Sequence, residues 1–264
     1  MYPAVELAKK VVPRSVKRVL KRQIQKRFRP YVIHKDVEGV AFDLLIGDYE
    51  GRQWYDLNCT GSSWKEMRIL RGRMLQAGDV VFECGAHHGC TAIMLSRWVG
   101  DEGHVLAFEP RPSNCDIIDR NIALNDLRNV TLERKAVGAT RGEVFIDNAS
   151  NTSVLSSGEG PAVGLVPLDD YADLKPTLLK IDVEGYEREV LRGARRILES
   201  RPKIALEVHT GVLHRYDTSA AEVLSLIPLE RYRTWIQWDD NAELVPFEPG
   251  TPITKRVHLY CLPA

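Results

Sequence analysis

The sequence is short of cysteine. Its five residues, Cys59, Cys84, Cys90, Cys115 and Cys261, are odd in number and form no CxxC pair. That spacing argues against a disulfide framework and a structural zinc site, and reduced thiols point to the cytoplasm. No apolar run approaches the roughly 18 residues that a membrane-spanning helix needs, and the first residues lack the apolar stretch of a secretory signal. The expectation is a cytoplasmic protein, either soluble or held at the inner face of a membrane by surface contact. Net charge is also missing, since 36 Lys and Arg offset 36 Asp and Glu. A uniform nucleic-acid-binding surface is therefore not expected. Repeats and low-complexity tracts are absent as well.

The charge that is present is unevenly placed. Residues 1–30 carry ten Lys and Arg against the single acid Glu6. Within them "PRSVKRVLKRQIQKRF" (13–28) sets Val16, Val19, Leu20, Ile24 and Phe28 at helical spacing, with basic residues on the other face and Pro13 suited to a first turn. Such a helix, assigned to a segment 1–34, fits an anionic lipid surface. A basic helix packed on its own domain, or pairing two copies in a homodimer, has the same pattern.

Residues 35–77 form a second segment. "VAFDLLIGDYEGRQWYD" (40–56) reads as a short antiparallel pair turned at 48–51, and Ser62 or Ser63 can cap a helix running to about Gln76. From 78 to 264 strand and helix signals alternate. Strands are expected at 80–83, 104–108, 130–137, 178–181 and 204–208, with helices at 90–98, 112–125 and 186–198. Connections of that length imply right-handed crossovers and an α/β fold with a mostly parallel sheet covered on both faces. At the end, "RTWIQWD" (233–239) and "RVHLYCL" (256–262) suit an antiparallel hairpin at the sheet's edge.

In such sheets ligands bind beyond the carboxyl ends of the strands. The first of these loops is "VVFECGAHHGCTA" (80–92), where Gly85 and Gly89 permit a tight turn and a close backbone approach. Its spacing is not GxGxxG, and Glu83 would repel a pyrophosphate but can pair with a cationic amino acid moiety. The second loop, "HVLAFEP", ends in Glu109, placed to accept hydrogen bonds from the hydroxyls of a ribose.

The chain resembles the FkbM-type S-adenosylmethionine-dependent methyltransferases. The resemblance rests on "GDVVFECGAHHGCTA" (78–92), "AFEP" (107–110), "NVTLERKAVG" (129–138), "LLKIDVEGYEREVLRGA" (178–194) and "ALEVH" (205–209). It implies a seven-strand Rossmann-like class I methyltransferase sheet of order 3-2-1-4-5-7-6 with the seventh strand antiparallel, carrying an N-terminal helical and hairpin extension. It also implies that Glu83, Gly85, Ala86, His87 and Gly89 surround the methionine part of S-adenosylmethionine, that Glu109 and Pro110 flank its ribose, and that Ala136 and Asp182 complete the cofactor site. Glu83 stands where the family more usually has Asp, and His87 where Asn is common.

In the sheet that the resemblance implies, Asp182 ends the fourth strand beside the first, where its carboxylate would face both the transferring methyl group and the acceptor. It can accept a hydrogen bond from the acceptor hydroxyl, act as base, cap the following helix, or bind a divalent cation with Glu184. His209 ends the next strand, with Glu207 on the same face. An imidazole of ordinary pKa suits deprotonation of an alcohol, so His209 is expected to take the proton while Asp182 orients. Asn151, Thr152, Ser153 and Ser156 in the insertion can bind a hydroxylated acceptor, and either Trp235 or Trp238 can line the pocket. No proline-aromatic N-methylation signature follows the fourth strand. The expected activity is O-methyl transfer to a saccharide, glycolipid or polyketide-type acceptor. RNA methylation and a non-catalytic binding module are the alternatives.

Overall fold

The computed structural model describes residues 27–57, 64–147, 152–155 and 160–264. The basic helix expected over 13–28, except its last two residues, lies outside them. So do Cys59, Ser62, Ser63, Asn151 and Ser156. No helix among the described residues is long and apolar enough to cross a membrane.

The first hairpin is not the one expected. Strand β1 (Tyr31–Val37) pairs antiparallel with β2 (Val40–Ile46), running across residue 34 where composition suggests a boundary. Glu38 and Gly39, with φ of 52° and 75°, make the two-residue turn whose twist matches that of the strands. Asp48 is a helix cap rather than a turn residue. Its Oδ1 accepts from Gly51 N at 2.7 Å and starts α1 (Tyr49–Gly51), which continues as a π-helix over Arg52–Leu57. A second short helix, α2 (Lys65–Ile69), also ends in a π-turn (Leu70–Met74).

The strands of the main sheet are β3 (Val80–Cys84), β4 (His104–Phe108), β5 (Val130–Glu133), β10 (Leu178–Ile181), β11 (Lys203–Val208), β12 (Tyr232–Gln237), β13 (Leu244–Pro246) and β14 (Val257–Pro263). Among the described residues their order is β13-β12-β14-β11-β10-β3-β4-β5. β3, β4, β5, β10 and β11 run parallel, and β14 is antiparallel to both β11 and β12. Leaving β13 aside, the strands in chain order lie as 3-2-1-4-5-7-6. β13 is the addition. The stretch expected to be only a loop between β12 and β14 pairs Val245 with Ile236 and ends on Pro246, which an edge strand tolerates.

Two further expectations are corrected. The strand expected over 130–137 stops at Glu133, and its end becomes β6 (Ala136–Val137). β6 belongs to a second sheet of order β6-β9-β7-β8 with β7 (Gly142–Ile146), β8 (Val154–Leu155) and β9 (Ala162–Val166). The helix expected over 186–198 breaks in two around Gly193, where a Cβ would meet Gly138 O at 2.0 Å.

The crossovers α3 (Cys90–Val99) and α4 (Pro112–Leu124) share a core with the hairpin, where Phe42, Leu44, Val81, Ile93 and Ile118 are buried. Asn121 and Asn125 of that region tie the hairpin down. Asn121 Oδ1 accepts from Leu45 N at 2.7 Å, and Asn125 brackets the backbone N and O of Asp43. On the opposite face, α5 (Glu187–Arg192) and α6 (Arg195–Glu199) pack Val190, Leu191 and Ile197 on Leu179, Ile181 and Leu206. Both faces are covered, which leaves the strand ends as the place for polar chemistry.

Candidate active site

The strand ends meet at one backbone contact. Gly85 has φ +91°, and a Cβ there would lie 1.9 Å from Asp182 O. Asp182 N in turn donates to Cys84 O at 3.0 Å. Glycine is therefore required for β3 and β10 to end side by side. Above this contact is a cleft with about 650 Å³ of empty space, counting the part open to solvent. Gly85, His87, Glu109, Pro110, Ala136, Asp182 and Glu184 all line it. Glu83, Ala86, Gly89 and His209 do not. Ala86 is buried with its N–H spent on Phe108 O, and Gly89 opens α3 in the left-handed conformation at φ 77°.

Glu109 is 3% exposed. Its Oε2 accepts from His87 N at 2.9 Å, and its Oε1 accepts from Arg111 N at 3.0 Å and Asn114 Nδ2 at 3.2 Å. Burial pushes this carboxyl up to about 7 against the pull of those donors. A carboxylate has about four acceptor positions, so three donors leave room on Oε2 for about one more.

His87 is held at φ 53° between aromatic neighbours. Its ring stacks on His88 at 4.1 Å, faces Trp54 at 4.9 Å, and its Nδ1 lies 2.9 Å from Tyr55 Oη. Burial, with the adjacent His88, drives its pKa well below the ordinary value, so the ring is neutral. The aromatic pair Trp54 and Tyr55 sits here because residues 49–57 are helical. Reading them as part of a strand hides that Trp54 walls the cleft and that Tyr55 holds His87 beside it.

Beneath the cleft lies a buried charge network. Lys180 is 4% exposed, with Nζ 3.5 Å from Glu66 Oε1 and 3.7 Å from Asp182 Oδ2. Burial opposes its charge, but Glu66, Asp182 and Glu83 outweigh that and raise its pKa. Glu83 lies beside it in register, 1% exposed, and is pushed up to about 8, chiefly by burial. The acid expected to pair with a cationic amino acid moiety is thus buried and mainly protonated near neutral pH, and its Oε2 has no hydrogen-bond partner among the described residues.

His209 is surrounded by acids. Its Nδ1 lies 2.8 Å from Glu187 Oε1, and its Nε2 lies 3.3, 3.7 and 3.8 Å from Glu207, Asp182 and Glu184. Burial disfavours its charge, yet the Glu187 and Glu207 hydrogen bonds carry the imidazole up to about 11. The acids on both sides of the ring favour its imidazolium form, in which both ring nitrogens donate. Asp182 moves the opposite way. Burial and the nearby Glu207 charge raise its carboxyl above the ordinary range, although its side chain stays 32% exposed. Oxygen and nitrogen atoms of Asp182, Glu207 and His209 all lie within 4.8 Å of one another, a geometry a divalent ion can use, as do those of Asp48, His87 and His88. Lys180, His209 and Arg256 already compensate Asp182 and Glu207, however, so these acids do not need a metal for charge balance.

Of the polar insertion, Thr152 reaches the cleft, whereas Ser153 N turns back to Asp147 Oδ1. Neither tryptophan lines it. Trp238 packs on the main core, and Trp235 lies under the Arg73 guanidinium at 5.6 Å. Lys180, Glu66 and Glu187 were missed by sequence reasoning. The available signal was Lys180 itself, a charge inside an otherwise apolar central strand.

The family profile described as the methyltransferase FkbM domain matches residues 83–234. Hexuronic acid methyltransferase AglP of Haloferax volcanii is 29% identical over 178 residues, covering 56% of this chain and 67% of the relative. Methyltransferase sdnD of Sordaria araneosa is 29% identical over 160 residues, covering 45% of this chain and 61% of the relative. The crystal structure of methyltransferase FkbM from Methylobacillus flagellatus superposes with a TM-score of 0.51 at 21% identity, covering 77% of this chain and 48% of that one. That likeness is one of fold. The chain spans about half of the solved structure's length and about two thirds or less of the curated relatives' lengths.

Proposed function

The chain belongs to the methyltransferase FkbM domain family, and on that premise we propose that it is an S-adenosylmethionine-dependent O-methyltransferase acting on a hydroxyl of a saccharide, glycolipid or polyketide-type acceptor. The observation that carries the reading is the meeting of Glu109 and Asp182 on one cleft at the ends of β4 and β10.

The residues fit the cofactor. Glu109 has an acceptor position to spare for a ribose hydroxyl, and Gly85 opens the floor of the cleft. When bound, S-adenosylmethionine supplies an electrophilic methyl group. Asp182, raised in pKa yet partly exposed, would take the acceptor's hydroxyl proton as the oxygen bonds to the methyl carbon and the carbon–sulfur bond breaks, its electron pair leaving with sulfur as S-adenosylhomocysteine. His209 remains an imidazolium and holds Asp182 in place, reversing the two roles expected. Much of the acceleration comes from holding the acceptor oxygen in line with the methyl group.

Transfer of a tritiated methyl group to glycan, polyketide and RNA fractions tests the reading. Incorporation into hydroxylated glycans or polyketides that drops about a hundredfold or more in Asp182→Asn supports it. Incorporation into RNA alone, or none with well-folded protein, contradicts it.

A further inference from the structure

A second cavity lies beside the first. It holds about 460 Å³ of empty space, counting the part open to solvent, and is lined by Glu66, Glu207, Gln237, Asp240, Arg256 and His258, without an apolar side chain among them. Two cations connect its wall to Asp182 in the first cleft. Lys180 reaches Glu66 at 3.5 Å and Asp182 at 3.7 Å, and His209 reaches Glu207 at 3.3 Å and Asp182 at 3.7 Å. A ligand here sits one side chain away from the carboxylate that faces the transferring methyl group.

The hydrogen-bond inventory of this cavity is one-sided. The Arg256 guanidinium is engaged by Asp240 Oδ1 and Oδ2 at 2.5 and 2.6 Å and by Glu207 Oε1 at 2.7 Å. His258 faces Asp240 at 3.2 Å and Glu207 at 3.7 Å. The Gln237 amide donates to the backbone oxygens of Asp240 and Ala242, both at 3.2 Å. These donors are turned onto acceptors of the protein itself. The three carboxylates, with about four acceptor positions each, keep capacity to spare. The cavity thus offers acceptors, and it asks a ligand for O–H donors.

We propose that this cavity is the acceptor subsite and that it takes a neutral polyhydroxylated sugar ring while rejecting the corresponding uronate. The inference rests on the methyltransferase reading for its link to Asp182. Hydroxyls of a neutral ring donate to Glu66, Glu207 and Asp240. A uronate carboxylate is acceptor-only, finds Nη1 and Nη2 of Arg256 already directed at Glu207 and Asp240, and adds a fourth carboxylate to the three on the wall. An apolar acceptor would leave the cavity's polar groups desolvated without compensation.

The test is saturation-transfer NMR on the full chain with S-adenosylhomocysteine present, using a panel of neutral methyl hexopyranosides and their matching methyl hexuronosides. The wild type is expected to bind at least one neutral glycoside about tenfold or more tightly than its uronate. Asp240→Asn frees the Arg256 fork, so it should narrow or reverse that preference. Glu66→Gln should weaken the neutral ring without admitting the uronate. The inference is overturned by equal or tighter binding of uronates to the wild type, by a preference unchanged in Asp240→Asn, or by no binding of any glycoside. Calorimetry on the same samples separates the two readings. Absence of S-adenosylhomocysteine binding counts against the methyltransferase proposal, whereas its binding without glycoside binding counts against this subsite alone.

Discussion

His209 Nδ1 lies 2.8 Å from Oε1 of the fully buried Glu187, an oxygen that also accepts from Gly185 N at 2.9 Å. With Glu207 3.3 Å from the other ring nitrogen, both sides of the imidazole face acids. Nitrogen NMR of the His209 ring should therefore show an imidazolium throughout the neutral range. Glu187→Gln keeps an acceptor but removes a charge, and should bring the titration down toward neutrality. A wild-type His209 titrating near its ordinary 6.5 would contradict this account.

Gly85 should not tolerate a side chain. With φ +91° and a Cβ position 1.9 Å from Asp182 O, Gly85→Ala must push β3 and β10 apart. A loss of about 2–4 kcal/mol in denaturant unfolding is expected, with weaker cofactor binding. An unchanged midpoint would show that the strand ends are not in contact as described.

Glu83 gives a pH-dependent signature. Its folded-state pKa of about 8 lies above the ordinary 4.5, so its contribution to stability is fully present below 4.5 and is lost as pH rises through 8. Glu83→Gln cannot ionise and should gain on the wild type across that window, by on the order of 4 kcal/mol at its top. Urea unfolding at a series of pH values measures it, and parallel curves would refute it.

Lys180 should be costly to remove. Lys180→Met leaves Glu66, Glu83 and Asp182 without the cation they share. Destabilisation of about 3–5 kcal/mol is expected at pH 8. It should shrink at pH 5, where Glu83 is protonated in the folded wild type and the folded variant alike. A cost independent of pH would mean that packing, not charge, is what the lysine supplies.

The fold was legible where hydrophobic patterning was strong. Val80–Cys84, His104–Phe108 and Leu178–Ile181 are short apolar strands bounded by glycine, acid or proline, and their positions follow from that pattern. The hairpin was misplaced because the Glu38–Gly39 turn uses a glutamate at positive φ, which carries little turn signal. The cleft residues at strand ends were legible because topology puts strand ends together. The partners of His209 were not. Glu187 comes from a helix after β10 and Glu207 from β11, and sequence spacing alone does not bring them to 2.8 and 3.3 Å from the two ring nitrogens.

The most direct test of the central claim is a calorimetric titration with S-adenosylhomocysteine at pH 6 and pH 8, on the wild type and Glu109→Gln. Because burial holds the Glu109 carboxyl at about 7, the wild type should bind several-fold more tightly at pH 8, where the acceptor carboxylate is formed. Glu109→Gln should bind roughly tenfold or more weakly at pH 8 and lose that rise. A folded wild type that does not bind, or a variant that binds with the wild type's affinity and pH dependence, would contradict the assignment of this cleft to S-adenosylmethionine.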